Sequence, residues 1–86
     1  MTITCGYERK SDCVVTVMLT DGDIDIEIYS KIEKLFGNQM RNAVKGGAED
    51  LGVKGAKIIV NDFGALDFVI KARTKTALRE AMSRRG

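Results

Sequence analysis

Apolar and polar residues alternate along the first half of the chain in the manner of two β-strands. Residues 14–20 read VVTVMLT, and residues 23–29 read DIDIEIY with isoleucine at every second position. A period of two places one row of side chains in a core and the other in solvent. Asp21-Gly22 can supply the positive φ angles of a tight turn, so we predict a β-hairpin over residues 14–29.

A stripe of apolar residues at helical spacing follows and predicts a long helix that covers one face of the sheet. Ser30 and Glu33 have the spacing of a capping box, so the helix should begin at Ser30. Gly46-Gly47 should weaken or kink its last turns, and Gly52 should end it. The stripe consists of Ile32, Leu35, Phe36, Met40, Ala43, Val44 and Leu51.

The second half of the chain predicts two more strands and a short helix. Ala56–Asp62 is rich in β-branched residues and should form the third strand, with a turn at Phe63-Gly64. Ala65–Arg73 alternates and should form the fourth strand. Thr74 can cap a final helix over Thr74–Met82. Its predicted inward side chains are Ala77, Leu78 and Met82.

These elements predict an α+β fold in the order β-β-α-β-β-α. It would be a two-layer sandwich in which one long helix covers a four-stranded, mainly antiparallel sheet. A chain of 86 residues is expected to form a single domain, residues 1–86. Residues 1–13 are mixed and polar, and we expect a mobile arm or a loose first strand there.

The composition disfavours an autonomous enzyme. The chain has no histidine, so the usual proton shuttle and the commonest metal ligand are missing. Cys5 and Cys13 form no metal or redox motif, and Asp23, Asp25 and Glu27 would be too spread along a strand to wrap a cation. No metal site is therefore predicted. Without a signal peptide or a membrane-spanning apolar run, a cytoplasmic location is expected.

The charge distribution gives only a weak indication of a partner. The net charge is +2, and basic residues gather in the C-terminal third. Nucleic-acid binding would require exposed aromatic residues or a recognition motif beside that charge. A small basic nucleic-acid-binding module is therefore the more distant alternative, since an acidic protein or a phosphate-rich cofactor fits the charge equally well. The basic residues are Lys71, Arg73, Lys75, Arg79, Arg84 and Arg85.

Ser11 is the candidate site residue, in the stretch ERKSDCVV. Serine catalysis needs an adjacent base, and neighbouring residues on an extended segment such as Lys10 and Ser11 point apart. Ser11 can be a plain loop residue. Near the terminus and flanked by polar residues, it can equally be the acceptor of a covalently attached group.

Three blocks resemble the acyl carrier protein of citrate lyase, its gamma subunit. They are IEKLFGNQMR (32–41), LGVKGAKIIV (51–60) and NDFGALDFVIKARTKTALREA (61–81). The likeness extends from about Gly6 onward. The carrier subunit of malonate decarboxylase is a weaker match, closest at DFGA.

The resemblance implies a carrier without catalytic residues of its own. In that family a serine near the N-terminus carries 2'-(5''-phosphoribosyl)-3'-dephospho-CoA, an arm that a prosthetic-group transferase attaches and that ends in a thiol. The arm would hold an acetyl or citryl thioester for the alpha subunit, the acyl transferase, and the beta subunit, the lyase. The acid could be citrate, citramalate or a related acid.

One departure from the family pattern falls on the attachment site. The family places the carrying serine two residues before an aspartate, as Glu-Ser-Ser/Gly-Asp. Here the register reads Arg9-Lys10-Ser11-Asp12, so that Lys10 occupies the attachment position. Lysine cannot form the phosphodiester. Either Ser11 takes over through a one-residue shift, or the chain is an unmodified structural or regulatory subunit; we favour Ser11.

Overall fold

A computed structural model describes residues 1–85. The α+β class is confirmed, whereas the predicted order of elements is wrong, because the chain follows the order β-β-β-α-β-α. The strands are β1 (Ile3–Gly6), β2 (Cys13–Leu19), β3 (Ile24–Tyr29) and β4 (Ala56–Asp62), and the helices are α1 (Glu33–Asp50) and α2 (Asp67–Arg85). Within residues 1–13, β1 makes the segment Ile3–Gly6 an edge strand paired with β2.

The four strands form a mixed sheet in the order β1-β2-β4-β3. The prediction of a mainly antiparallel sheet is wrong, because β4 runs antiparallel to β2 but parallel to β3. The predicted hairpin is also wrong. Both of its strands exist, but β4 lies between them and pairs with each.

The loop between β2 and β3 wraps around the start of β4 instead of closing a hairpin. The Thr20 N–H donates to the Gly55 carbonyl (3.1 Å), and the Ala56 N–H donates to the Asp23 carbonyl (3.4 Å). A side chain at Gly55 would overlap the carbonyl oxygens of Thr20 and Gly22. Gly22 does not adopt a positive φ, so the tight turn that Asp-Gly can form is not used here.

Both helices pack on one face of the sheet, so the prediction of a single covering helix is wrong. Alternate residues of the two central strands are fully buried under them, whereas the intervening residues face the other side. The largest fully buried apolar side chains are Val15, Val17, Val44, Ile58, Val60, Ile70 and Leu78.

The predicted fourth strand is wrong, because α2 begins at Asp67 and continues to Arg85. Its buried residues follow helical spacing, whereas Leu66 and Phe68, which suggested a strand, are exposed. Thr74 does not cap a helix; it is buried inside α2, where its hydroxyl donates to the Ile70 carbonyl (2.8 Å). Within residues 1–85, neither helix has the length and apolarity needed to span a bilayer. The buried residues of α2 are Ile70, Thr74, Ala77, Leu78 and Ala81, so Met82 is not the inward residue predicted.

Helix α1 begins at Glu33, and the predicted capping box at Ser30 is not formed. Gly52, at φ +67°, ends the helix as predicted. Helix α1 runs through Gly46 and Gly47 without interruption. A Cβ on Gly47 would lie 3.2 Å from the Thr74 Cγ2. Glycine is therefore used here to let α2 approach closely.

Candidate functional site

Ser11 lies at the end of the loop between β1 and β2, and its backbone is firmly held. Its N–H donates to the Phe63 carbonyl (2.9 Å), and the Phe63 N–H donates to the Asp12 carbonyl (2.9 Å). These two bonds extend the β2–β4 ladder by one step beyond Cys13. The side chain of Ser11 remains exposed. The hydroxyl is thus presented to solvent from a fixed position.

Ser11 is the one described residue other than glycine with a positive φ, at 66°. This left-handed region is adopted freely by glycine and rarely by other residues. The hydrogen bonds of the loop therefore hold Ser11 in a backbone conformation that is costly for a residue with a side chain.

Asp12 anchors the loop to helix α2. Its side chain is only 5 % exposed and accepts hydrogen bonds from Arg73 Nε (3.1 Å) and Arg73 Nη2 (2.8 Å). The Cys13 N–H (2.7 Å) and Arg9 Nε (3.3 Å) donate to the same carboxylate. The bidentate bond from Arg73 is the main cause that lowers the pKa of Asp12 below its ordinary value. The carboxylate beside Ser11 is therefore fixed and ionised.

An aromatic side chain completes this anchor. The guanidinium carbon of Arg9 lies 4.6 Å from the ring centroid of Tyr7, and that of Arg73 lies 5.4 Å from it. Both cations are within the range of a cation–π interaction. Sequence reasoning missed this cluster, because nothing in the spacing of Tyr7, Asp12 and Arg73 shows that they meet.

A second carboxylate, Asp62, fixes the other wall of the site. Its Oδ1 accepts the N–H groups of Gly64 (3.2 Å) and Ala65 (2.9 Å), and its Oδ2 accepts the Ser30 hydroxyl (2.8 Å). The predicted turn at Phe63-Gly64 is confirmed, with Gly64 at φ +94°, but it leads into α2 rather than a strand. Ser30 therefore ties β3 to this turn instead of capping α1.

An open groove of about 460 Å³ is lined by residues 8–10 of the loop that carries Ser11, but not by Ser11 itself, and we call it the Ser11 groove. Within residues 1–85, the ammonium groups of Lys10 and Lys31 form no ion pair. Phe63 presents part of its ring there. Two uncommitted cations and an aromatic ring suit a phosphate-containing ligand with a planar base. The residues lining the groove include Glu8, Arg9, Lys10, Lys31, Ile32 and Phe63.

The Ser11 hydroxyl lacks the partner that serine catalysis requires. Among residues 1–85 it makes no side-chain hydrogen bond, and the chain contains no histidine. A serine nucleophile needs an adjacent base within hydrogen-bond reach. The arrangement around Ser11 therefore suits a hydroxyl that is modified by another protein.

Most cations of the basic C-terminal third lie beside carboxylates. Four of its cations are paired with carboxylates from other parts of the chain, which leaves little of the charge available for a phosphate backbone. This pairing counts against the nucleic-acid-binding alternative. The pairs are Lys71 and Lys75 with Asp50, Arg73 with Asp12, and Arg85 with Asp21.

Cys13 is expected to resist alkylation in the folded protein. Burial raises the pKa of its thiol to about 12, so the reactive thiolate is nearly absent at about pH 8. Cys5 is partly exposed. Mass spectrometry after brief iodoacetamide treatment should find one adduct, on Cys5, and two only after unfolding. Equal labelling of both cysteines in the folded chain would contradict this.

Known proteins and one family model resemble this chain over most of its length. The family model described as "Malonate decarboxylase delta subunit (MdcD)" matches residues 1–81. The citrate lyase acyl carrier protein of Halothermothrix orenii is 45% identical over 93% of this chain and 85% of its own. That of Streptococcus mutans is 42% identical over 93% and 79%, and that of an Enterobacter species is 41% identical over 88% and 78%. The chain belongs to the citrate lyase acyl carrier protein family.

Proposed function

We propose that this chain is the acyl carrier subunit of a citrate-lyase-like complex and carries phosphoribosyl-dephospho-CoA on the Ser11 hydroxyl. The observation that carries the proposal is an exposed hydroxyl on a rigidly held backbone, beside a groove with two unpaired lysines. Of the loop residues 7–12, only Tyr7 and Ser11 have a hydroxyl, and Tyr7 is stacked against the two arginines.

The residues present fit this prosthetic group. The Ser11 oxygen can accept the phosphodiester, Lys10 and Lys31 can balance phosphate charge, and Phe63 offers a face for the adenine. When bound, the arm supplies a terminal thiol that holds the acyl group. The residues of the chain would only anchor and orient the arm, because the described residues provide no acid–base pair at Ser11.

Attachment at Ser11 requires an activated donor. The bond from Ser11 Oγ to phosphorus forms while the adjacent phosphoanhydride bond of the donor breaks, and the outer phosphate portion of the donor leaves with the bonding electron pair. A base on the prosthetic-group transferase would take the hydroxyl proton, and the transferase would bind a donor that a separate enzyme makes. A shift from position 10 to position 11 moves the root of the arm by about 3.8 Å, the spacing of consecutive Cα atoms. This is small beside the length of such an arm.

The fixed position of the Ser11 backbone has a physical consequence for the transfer of an acyl group between active sites. Tethering converts the encounter of the acyl group with each catalytic subunit into an intramolecular event at an effective concentration set by the arm. The hydrogen bonds from Arg73 to Asp12 and between the Ser11 loop and Phe63 fix the position of the Ser11 backbone. The reach of the arm is therefore set by the length of the arm itself. The alpha and beta subunits would then perform all of the bond chemistry.

The proposal predicts that the wild-type chain gains one arm at Ser11. The chain, Ser11→Ala, Lys10→Ser and the double variant Lys10→Ser/Ser11→Ala would each be co-expressed with the transferase and the enzyme that makes its donor. Intact mass and peptide mapping should show an arm on the wild type and none on Ser11→Ala. The double variant should be modified at position 10, because the family position then carries a hydroxyl.

The double variant is the control for an active transferase. If it gains the arm while the wild type stays bare, Ser11 is not an acceptor and the chain is an unmodified structural or regulatory subunit. Such a result would leave the family assignment intact but remove the proposed activity.

A malonate-decarboxylase-type carrier is the second candidate. The family model that matches residues 1–81 has that description, although the relatives above are citrate lyase carriers. Both candidates use the same modified hydroxyl. The partner subunits would select the acid, so binding to purified subunits of each complex distinguishes the two.

A further inference from the structure

Large apolar side chains are concentrated on the surface where helices α1 and α2 begin. Leu66 is 64% exposed and Phe68 is 70% exposed. Together with Ile32 and Phe36 they line an open groove of about 510 Å³, and we call these four residues the apolar patch. A soluble monomer rarely exposes this many large apolar residues together unless they bind something.

The apolar patch is continuous with the Ser11 groove. Ile32 lines both depressions. A protein that docks on the patch would therefore lie next to the groove beside the Ser11 loop. The position matches that of a protein acting on a group attached there.

Charge around the patch indicates the chemistry of the partner. Lys10 and Lys31 are exposed in the Ser11 groove and form no ion pair within residues 1–85, and Glu8 is an exposed carboxylate there. Two carboxylates, Glu33 and Asp67, lie at the first turns of the helices. The side toward Ser11 is therefore basic, and a complementary surface would be apolar at its centre with carboxylates on the side that faces Ser11.

We propose that the apolar patch is the docking surface for the catalytic assembly of the alpha and beta subunits, which receives the arm. This rests on the proposed function, because it assumes an arm at Ser11. A second copy of this chain fits the surface less well. Self-association through the patch would bring the exposed lysines of the two copies together and would cover both Ser11 grooves.

The test uses the mass-verified holo chain and purified alpha and beta subunits assembled without a carrier. Leu66→Ser/Phe68→Ser should weaken binding by roughly a hundredfold, since buried aromatic and aliphatic anchors dominate such interfaces. Met18→Ser is the matched control, because Met18 is also exposed but lies on the open face of the sheet. It should bind as the wild type does. Thermal unfolding verifies that each variant is folded.

Two results would overturn the inference. One is wild-type affinity for Leu66→Ser/Phe68→Ser. The other is a wild-type chain that sediments alone as a dimer and becomes monomeric in that variant, which would assign the patch to a second copy.

The Ser11→Ala chain separates this inference from the proposed function. It has no arm, yet it should dock with nearly the affinity of the holo chain, because the patch is unchanged. An arm found at Ser11 together with normal docking of the patch variant would remove only the inference. A bare Ser11 with weakened docking of the patch variant would remove only the proposed function.

Discussion

Replacing Arg73 with leucine is expected to release the Ser11 loop from helix α2. The variant loses both charge-assisted hydrogen bonds from Arg73 and leaves the Asp12 carboxylate with only Arg9 and the Cys13 N–H. Hydrogen exchange of the Ser11 and Phe63 amides should accelerate by roughly ten- to a hundredfold, the range expected when such bonds are lost. Exchange in the centre of β4 should change much less.

Arg84→Leu is the matched control for this experiment. It removes an arginine from the same helix and breaks an ion pair with Glu80, but both of those side chains are largely exposed. Exposed ion pairs contribute little to stability. Equal acceleration in the two variants would mean that Arg73 does not anchor the loop.

Arg73→Leu should also change how the stability of the fold depends on pH. Arg73 holds the pKa of Asp12 below the ordinary value of 3.8, so the ionised carboxylate stabilises the fold above that value. This contribution is lost as the pH falls through the lowered pKa, where the folded protein must take up the proton. In Arg73→Leu, the acid-dependent loss of thermal stability should be smaller. An unchanged pH profile would contradict the assignment.

Replacing Ile58 with alanine is expected to cost about 2–5 kcal/mol of unfolding free energy, the usual range for a fully buried isoleucine. Ile58 has no exposed surface and lies in the central strand, with Val17 beside it in β2 and Ile26 beside it in β3. Small domains are stable by only about 5–15 kcal/mol in total. This single change would therefore remove a large share of the stability.

The neighbouring residue provides the control. Ile59 points to the open face and is only partly buried, so Ile59→Ala should cost about 1 kcal/mol or less. Urea unfolding of the two variants measures both values. Equal costs would mean that the sheet does not have one covered face and one open face as described.

Local sequence patterns predicted the existence of most elements but not their partners. The bounds of β4 were predicted to the residue, and the alternation in residues 23–29 correctly indicated a strand with one wet face. Asp21-Gly22 indicated only that the chain turns there. Whether the two flanking strands pair with each other depends on β4, which lies after α1 in the sequence.

The error at Ala65–Arg73 has a different physical origin. The stretch contains apolar residues at alternate positions, but only Ile70 among Leu66, Phe68 and Ile70 is buried. Helical spacing from Ile70 through Leu78 to Ala81 places one stripe on the sheet. Leu66 and Phe68 thus completed the alternating pattern of a strand although neither residue belongs to the core, because exposed apolar residues need not follow the pattern of the core.

The candidate site was predictable only in part. Ser11 and the conflict at Lys10 follow from the order of residues alone. Arg73 and Phe63 hold the Ser11 loop in place by hydrogen bonds. They contact this loop only once the strands have been arranged in the sheet. Contacts between distant parts of the chain leave no periodic signal, so sequence reasoning could not find them.

The central place of β4 also governs the order of events while the chain is being synthesised. Before Ala56–Asp62 emerges, β1 is the only native partner available to β2, and a two-stranded ribbon is marginally stable in water. Placing β4 between β2 and β3 closes a long connection through α1. This closure costs conformational entropy before the hydrogen bonds of the sheet can offset it. The four-stranded sheet therefore cannot form until most of the chain has been synthesised. Until then the β-branched strand β2 lacks its native partner β4 and must avoid aggregation.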